Sequence, residues 1–222
     1  MGAMNDALQP PSRKLTSAIV PALAVAALAG LAAMFMVGQQ GGSAPGEAPV
    51  GCILDGLTQL GGPISLVDQN ATPVTQADFA NAPAVVYFGF THCPDVCPTT
   101  LAALGAAQSM EGGYDAQTIF ITLDPERDAP ADMNAYINTA GFPAGLVGLT
   151  GTPEQIHSAA EAFRVNYRKA PIEGADGAYN VDHTSFIYVM DGAWNTVAAM
   201  STIGKTPEEI AACIGAGLAP AR

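Results

Sequence analysis

Cys93 and Cys97 are the residues of this sequence best suited to chemistry. They stand four positions apart in the run YFGFTHCPDVCP (87–98), after an apolar stretch typical of a buried strand and before a predicted helix. The free N–H groups and the dipole of a helix N-terminus favour thiolate over thiol, so the pair is predicted to be reactive. Two such thiolates can close a disulfide or bind a soft metal ion.

Three histidines could join these thiols, and their positions are not equivalent. His92 is the direct neighbour of Cys93, so its side chain is expected to point elsewhere. His157 falls in a plain helical stretch and is expected to be partly exposed. His183 follows a glycine-rich segment, 174–177, and precedes a predicted strand, where a loop could bend over the sheet edge toward the cysteines. A lone histidine is more often a hydrogen-bonded core residue, so both interpretations of His183 stay open.

The surrounding pattern predicts alternating strands and helices. β-rich apolar runs between turn residues predict strands, and apolar residues at helical spacing predict helices. Strands are predicted at 84–90, 118–123 and 145–149, with hairpins at 63–75 and at 185–190 with 196–200; helices are predicted at 98–110, 131–139, 152–163 and 207–214, the second capped by Asp128. This order predicts an α/β fold with a central mixed β-sheet flanked by helices. A cysteine pair between the first central strand and its helix is typical of a thioredoxin-like fold.

Upstream of this domain, the uncharged segment 15–37 predicts one N-terminal transmembrane helix. Such a helix would be about 34 Å long, enough for a hydrocarbon core of about 30 Å. Basic residues at 13 and 14 assign residues 1–14 to the cytoplasm and the rest to the outside by the positive-inside rule. A cleaved signal peptide is the alternative, although its apolar region is normally shorter. Residues 38–60 then form a predicted flexible linker, and residues 61–222 the folded domain.

The net charge limits the possible binding partners, and the remaining cysteines bear on the cellular compartment. The net charge is −12, which argues against binding to nucleic acid or to anionic lipid headgroups. Cys52 and Cys213 stand near the two ends of the predicted domain, and the ends of compact domains often lie close together. An exported domain meets an oxidising compartment, so we expect a structural Cys52–Cys213 disulfide.

Four motifs together resemble one known family. The segments GFTHCPDVCPTTL (89–101), ITLDPERD (121–128), GLTGTPEQI (148–156) and VDHTSFIYVMD (181–191) are similar, in order and spacing, to the Sco family, also called SenC or PrrC-like. Members are membrane-anchored copper proteins of thioredoxin fold that assist assembly of the CuA centre of cytochrome c oxidase. The family pattern has glycine where Ala71 stands in the first hairpin turn, and we expect Asn70 to take the left-handed conformation instead.

The resemblance implies a ligand set and partners. It makes Cys93, Cys97 and His183 the copper ligands and brings the loop of Asp124 close to the metal. Two thiolates and one imidazole form a soft set suited to Cu(I), and thiolate sites bind copper more strongly than zinc. The implied partners are the CuA subunit of cytochrome c oxidase and a copper donor, met on the periplasmic side of a bacterial inner membrane. His183 would also need a partner that orients its second ring nitrogen.

The expected role is therefore that of an assembly factor rather than a turnover enzyme, and three alternatives remain. A metal-independent thiol–disulfide oxidoreductase would need only Cys93 and Cys97 and would tolerate loss of His183. A redox-signalling protein would use the same two cysteines. A thiol peroxidase would need one strongly nucleophilic cysteine with an arginine or threonine to bind peroxide.

Overall fold

The computed structural model describes residues 48–57 and 59–219. These residues belong to one compact unit of the chain. The predicted cytoplasmic segment 1–14 and the predicted membrane helix 15–37 lie outside the described residues. Within the described ranges, no helix is both long enough and apolar enough to cross a membrane.

The described residues form ten strands, four α-helices and one short 3-10 helix. The strands are β1 (Cys52–Ile53), β2 (Ser65–Asp68), β3 (Pro73–Thr75), β4 (Ala84–Gly89), β5 (Gln117–Thr122), β6 (Val147–Thr150), β7 (Tyr167–Pro171), β8 (Tyr179–His183), β9 (Phe186–Met190) and β10 (Thr196–Ser201). The helices are α1 (Val96–Ser109), α2 (Pro130–Ile137), α3 (Pro153–Ala162) and α4 (Pro207–Leu218), and the 3-10 helix covers Gln76–Phe79.

Eight strands build one mixed sheet in the order β1-β10-β9-β4-β5-β6-β2-β3. β4, β5 and β6 run parallel, and the other pairings are antiparallel. Every residue of β4 is buried, as expected for an apolar strand covered on both faces. The predicted α/β architecture with a central mixed sheet is confirmed.

Neighbouring residues of β4 point to opposite sides of the sheet, so its apolar side chains need cover on both faces. Helices provide this cover. On one face the Tyr87 ring lies 6.0 Å from that of Phe120, which lies 5.4 Å from that of Tyr136 in α2. On the other face the Phe88 ring lies 5.3 Å from that of Phe163, directly after α3. The aromatic layers therefore fix the C-terminal end of β4, where the cysteine motif begins.

The prediction that Asp128 caps the second helix is wrong. Ala129 is the N-cap of α2, and Asp132 accepts a hydrogen bond from its backbone N–H at 3.2 Å. Pro130 opens the helix because it needs no hydrogen-bond partner for its nitrogen. The Asp128 side chain is instead fully buried and accepts hydrogen bonds from two threonines of other segments.

The first hairpin turn also differs from expectation. Ala71 itself takes the left-handed conformation, with φ of 62°, and Asn70 does not. The carboxylate of Asp68 accepts hydrogen bonds from the backbone N–H groups of Asn70 and Thr72, both at 2.8 Å. These two bonds close the turn and hold Ala71 in a conformation that non-glycine residues rarely adopt.

The folded domain begins earlier than predicted. β1 pairs with β10, and the structure joins Cys52 to Cys213 of α4 by a disulfide with a Cα–Cα distance of 5.5 Å. Leu57 is also buried in the core. The predicted linker, 38–60, is therefore wrong at its C-terminal end, because Cys52 and Ile53 belong to the sheet and Leu57 belongs to the core.

The hairpin of β7 and β8 was not predicted from the sequence. β7 and β8 pair with each other as a separate two-stranded antiparallel hairpin, outside the main sheet. His183, expected on a loop, is the last residue of β8 and pairs with Tyr167. The hairpin therefore carries the third candidate ligand to the cysteines.

Candidate metal centre

The two cysteines lie where β4 passes into α1. Cys93 is half-buried in the turn after β4, and Cys97 is fully buried in the first helical turn. The backbone N–H of Cys97 donates a hydrogen bond to Sγ of Cys93 at 3.3 Å. Because the two cysteines are four residues apart, Cys93 lies in the loop and Cys97 lies in the first turn of α1. The backbone N–H of Cys97 therefore points at the Cys93 sulfur. Neither cysteine is in a disulfide.

Gly89, the last residue of β4, makes room for the second sulfur. A Cβ atom at this position would lie 2.8 Å from Sγ of Cys97 and 2.7 Å from the Phe120 ring. Both distances are shorter than real Cβ contacts, so any side chain would displace Cys97 or the Phe120 ring. The glycine of the YFGF run is therefore required by the position of a candidate ligand.

The two sulfurs share one proton. A hydrogen bond from the Cys97 thiol is the main cause that lowers the pKa of Cys93 to about 5. Backbone N–H groups of Cys97 and Asp95 add to it, while burial opposes it. The same hydrogen bond, with burial, raises the pKa of Cys97 far above its ordinary value. At neutral pH, Cys93 is therefore a thiolate and Cys97 a thiol.

His183 lies against the buried sulfur. Its Nε2 is 3.8 Å from Sγ of Cys97, and its ring stacks edge-on against Phe90 with the centroids 6.2 Å apart. Its Nδ1 lies 2.9 Å from the carbonyl oxygen of Thr184. Because a carbonyl can only accept, Nδ1 carries a proton, and in the neutral imidazole Nε2 then has the free electron pair. The orienting partner is this carbonyl, since Asp182 turns away to Arg168 at 2.8 Å.

These side chains are close to a metal-binding arrangement without having reached it. A groove of about 240 Å³, lined by Phe90, Cys93 and His183 among others, opens beside the pair. Over the part of the chain that the structure describes, no group of three or more His, Cys, Asp or Glu side chains already has the spacing of a metal site.

Asp124 contacts the hairpin rather than the sulfurs. It is fully buried, forms an ion pair with Arg127 and accepts a hydrogen bond from the hydroxyl of Tyr179 at 2.9 Å. The Arg127 guanidinium also lies 3.9 Å from the centre of the Tyr179 ring and donates to that residue's carbonyl oxygen at 3.1 Å. Tyr179 begins β8, the strand that ends at His183. The contacts of Asp124 thus reach the candidate site through β8.

Neither of the other two histidines forms a hydrogen bond to a candidate ligand within the described residues. Nδ1 of His92 lies 3.0 Å from the hydroxyl oxygen of Thr91 and 3.4 Å from Oδ1 of Asp128. Nε2 of His157 lies 3.4 Å from Glu161 on α3, and both of those side chains are exposed. The sequence analysis missed the roles of Asp128 and Tyr179. The alternation of Tyr179, Val181 and His183 was a signal for the strand that Tyr179 begins, whereas no local signal marks the role of Asp128.

Comparison with known proteins identifies the family. The profile of SCO1/SenC matches residues 54–218 of the chain. The chain belongs to the SCO1/SenC family. The mitochondrial SCO1 homolog 1 of Arabidopsis thaliana is 40% identical over 145 residues, which are 64% of this chain and 42% of that protein. SenC of Rhodobacter capsulatus is 36% identical over 160 residues, 71% of this chain and 70% of that protein. The chain spans about half the length of several curated SCO1 relatives.

Solved SCO1/SenC structures share the fold. The structure of Bradyrhizobium japonicum ScoI with copper bound is 40% identical, with a TM-score of 0.60, and the likeness covers 72% of this chain and 99% of that one. The resemblance inferred from four sequence motifs is confirmed, and so is the thioredoxin-like architecture of the domain.

Proposed function

We propose that this SCO1/SenC protein is a copper chaperone that binds copper through Cys93, Cys97 and His183. It delivers copper, or the reducing equivalents needed there, to the CuA site of cytochrome c oxidase. The observation that carries the proposal is the position of Cys97. Its backbone N–H contacts the Cys93 sulfur at 3.3 Å, and its own sulfur lies 3.8 Å from the free Nε2 of His183. The copper-bound structure of the Bradyrhizobium relative supports the choice of metal.

The chemistry of these donors favours Cu(I). Thiolates and a neutral imidazole are soft ligands, and the Nδ1 proton of His183 is already held by the Thr184 carbonyl. Cys93 is a thiolate before the metal arrives, whereas Cys97 releases its proton on binding. A Cys93–Cys97 disulfide would remove both thiolates, so copper loading requires the reduced pair.

The proposed setting follows from the sequence. Segment 15–37 anchors the chain in a bacterial inner membrane, with the SCO1/SenC domain in the periplasm. The partners are a copper donor and the CuA subunit of the oxidase, both inferred from the family. Transfer by stepwise exchange of three ligands needs no turnover of a substrate, so we assign the protein no enzymatic activity.

A second function rests on the pKa of Cys93. A thiolate at neutral pH beside a second thiol is the arrangement used by thiol–disulfide oxidoreductases and by redox-signalling proteins. Such a protein would work without metal and would not require His183.

Titration of the reduced, purified full chain with Cu(I) separates the two functions. We expect one copper per wild-type chain and strong loss of binding in His183→Ala. His157→Ala is the matched control, because that histidine is exposed on α3, and it should bind as the wild type does. Equal copper binding by both variants, or none by the wild type, would leave the metal-independent oxidoreductase as the better account.

A further inference from the structure

Asp128 holds the residues that lead into the cysteine motif. Its fully buried carboxylate accepts hydrogen bonds from the backbone N–H of Thr91 at 2.9 Å and from the Thr91 hydroxyl at 2.6 Å. The hydroxyl of Thr122, at the end of β5, donates to the same carboxylate at 2.5 Å. These three bonds fix the position of Thr91, two residues before Cys93.

This arrangement determines where His92 carries its proton. The Thr91 hydroxyl has one proton, and it is donated to Asp128. The Thr91 oxygen can therefore only accept from Nδ1 of His92, 3.0 Å away, and Oδ1 of Asp128 lies 3.4 Å from the same nitrogen. In the neutral imidazole Nδ1 thus carries the proton, and Nε2 has the free electron pair. His183 has the same tautomer, fixed by the Thr184 carbonyl.

The free nitrogen of His92 faces solvent. The Nδ1 edge of the ring points at a carboxylate that is fully buried, whereas the side chain as a whole is 52% exposed. Nε2 stands on the other edge of the ring and is therefore on the outer side. Among the described residues, no hydrogen bond joins the His92 ring to either sulfur. His92 is thus an oriented, accessible imidazole beside Cys93 that is not one of the three resident ligands.

The Thr91 oxygen accepts from Nδ1 and leaves Nε2 on the outer edge of the ring, and metal-binding histidines are likewise oriented by a hydrogen bond from their other ring nitrogen. Cys93 is half-buried, and its Cα atom is only about 3.8 Å from that of His92 across one trans peptide bond. Because Cys93 follows His92 directly in the chain, its sulfur is the candidate ligand to which an ion held by His92 would pass. Asp128 acts on the ring through Thr91, which it fixes by two hydrogen bonds and which in turn accepts from Nδ1 of His92.

We propose that Nε2 of His92 is a capture ligand, which takes Cu(I) from solution or from a donor and passes it to Cys93. This inference rests on the copper function proposed above. A bond from copper to Nε2 forms as one donor ligand leaves, and the bond to the Cys93 thiolate then replaces the bond to Nε2. Copper stays Cu(I) throughout, so no electron is transferred. The one proton released comes from the Cys97 thiol and goes to solvent.

Anaerobic stopped-flow mixing of the reduced full chain with the Cu(I)–acetonitrile complex tests this role. The variants are His92→Ala and His92→Gln, with His157→Ala as the exposed control. We expect all four proteins to reach the same copper stoichiometry and the same thiolate-to-copper absorption. Uptake should be slower by about tenfold in both His92 variants, the lower end of what losing a group beside a metal site costs. Added imidazole should restore the rate of His92→Ala and leave that of the control unchanged.

The outcomes separate this role from the copper function itself. Equal uptake rates in all four proteins, at normal stoichiometry, would overturn the capture role and leave the chaperone intact. A lower stoichiometry in the His92 variants would overturn it as well, because His92 would then be a resident ligand. Absence of copper binding by the wild type would reject the chaperone and the capture role together.

Discussion

Gly89 has no Cβ atom, and the sulfur of Cys97 lies close to the position that a Cβ atom would occupy. Gly89→Ala should displace Cys97 or the Phe120 ring, because the added carbon would lie within 2.8 Å of both. We expect the variant to fold less stably and to bind Cu(I) at least about tenfold more weakly. Competition with a Cu(I) chelator measures the affinity.

Gly215→Ala is the matched control for this substitution. Gly215 lies in α4, and a Cβ atom there would have open space around it. Alanine in a helix interior is favoured over glycine by up to about 1 kcal/mol, so this variant should be as stable as the wild type or more so. Equal copper affinity in Gly89→Ala and Gly215→Ala would show that the close approach of Cys97 to β4 does not matter for the site.

The proton shared by the two sulfurs gives a pH profile. Because the pKa of Cys93 is lowered to about 5, its thiolate is fully present at neutral pH and is lost as the pH falls through 5. The rate of iodoacetamide alkylation in the reduced, metal-free chain should therefore be flat above about pH 6 and fall below it. Mass spectrometry of the alkylated peptide assigns the reaction to Cys93.

Removing the donor should move this profile. Cys97→Ala takes away the hydrogen bond that contributes most to the lowered pKa of Cys93. The midpoint should rise toward the ordinary thiol value of about 8.5. A wild-type midpoint already near that value, or one unchanged by Cys97→Ala, would show that the sulfurs do not share a proton.

At the scale of elements, the β7–β8 hairpin determines where His183 stands. Tyr179→Phe removes only the hydroxyl that donates to Asp124 at 2.9 Å and leaves the aromatic ring under Arg127. The hairpin should then be held less firmly, and Cu(I) affinity should fall by about tenfold, within the range found for groups that orient metal ligands.

Tyr167→Phe is the matched control, on the other strand of the same hairpin. It should leave the affinity unchanged, since the contact of Asp124 is to Tyr179 alone among the tyrosines of the hairpin. If the two variants bind copper equally well, Asp124 does not act on the site through β8, and its predicted role would have to be abandoned.

The elements that could be predicted are those whose pattern reflects a buried environment. β4 is apolar throughout, and α3 has both a capping threonine and a proline at its start, so each was recognised with its approximate bounds. The β7–β8 hairpin was missed because its first strand, YRKAP, is polar and has no covered face in the main sheet. Patterns of burial give no signal for a strand that is mostly exposed.

In the candidate site, too, only the residues that belong to a local sequence pattern could be predicted. The cysteines and His183 could be recognised by their residue types and motifs. The position of Asp128 could not, because its partners Thr91 and Thr122 come from the ends of two different strands and meet only in the folded sheet. A carboxylate just before a helix is a common cap, so local sequence favoured the wrong role.

At the scale of the whole molecule, the Cys52–Cys213 disulfide joins the start of the domain to its last helix. A crosslink across so long a segment restricts the unfolded chain, so replacing both cysteines by serine should lower the free energy of unfolding by about 2–5 kcal/mol. Urea denaturation of the purified chain measures this difference.

Copper binding should survive the loss of this disulfide, because within the described residues Cys52 and Cys213 bond to each other and leave Cys93 and Cys97 as free thiols. Cys93→Ser with Cys97→Ser is the reciprocal control, and it should abolish copper binding with little change in stability. If the Cys52→Ser, Cys213→Ser chain is as stable as the wild type, the disulfide does not hold the first strand in the sheet.

The X-ray absorption spectrum of the Cu(I)-loaded full chain tests the central claim most directly, because it counts the atoms bound to copper. The account predicts three ligands, two sulfurs and one imidazole nitrogen, with the nitrogen lost in His183→Ala and kept in His92→Ala. A spectrum with sulfur ligands only, or one unaffected by His183→Ala, would contradict a centre built from Cys93, Cys97 and His183.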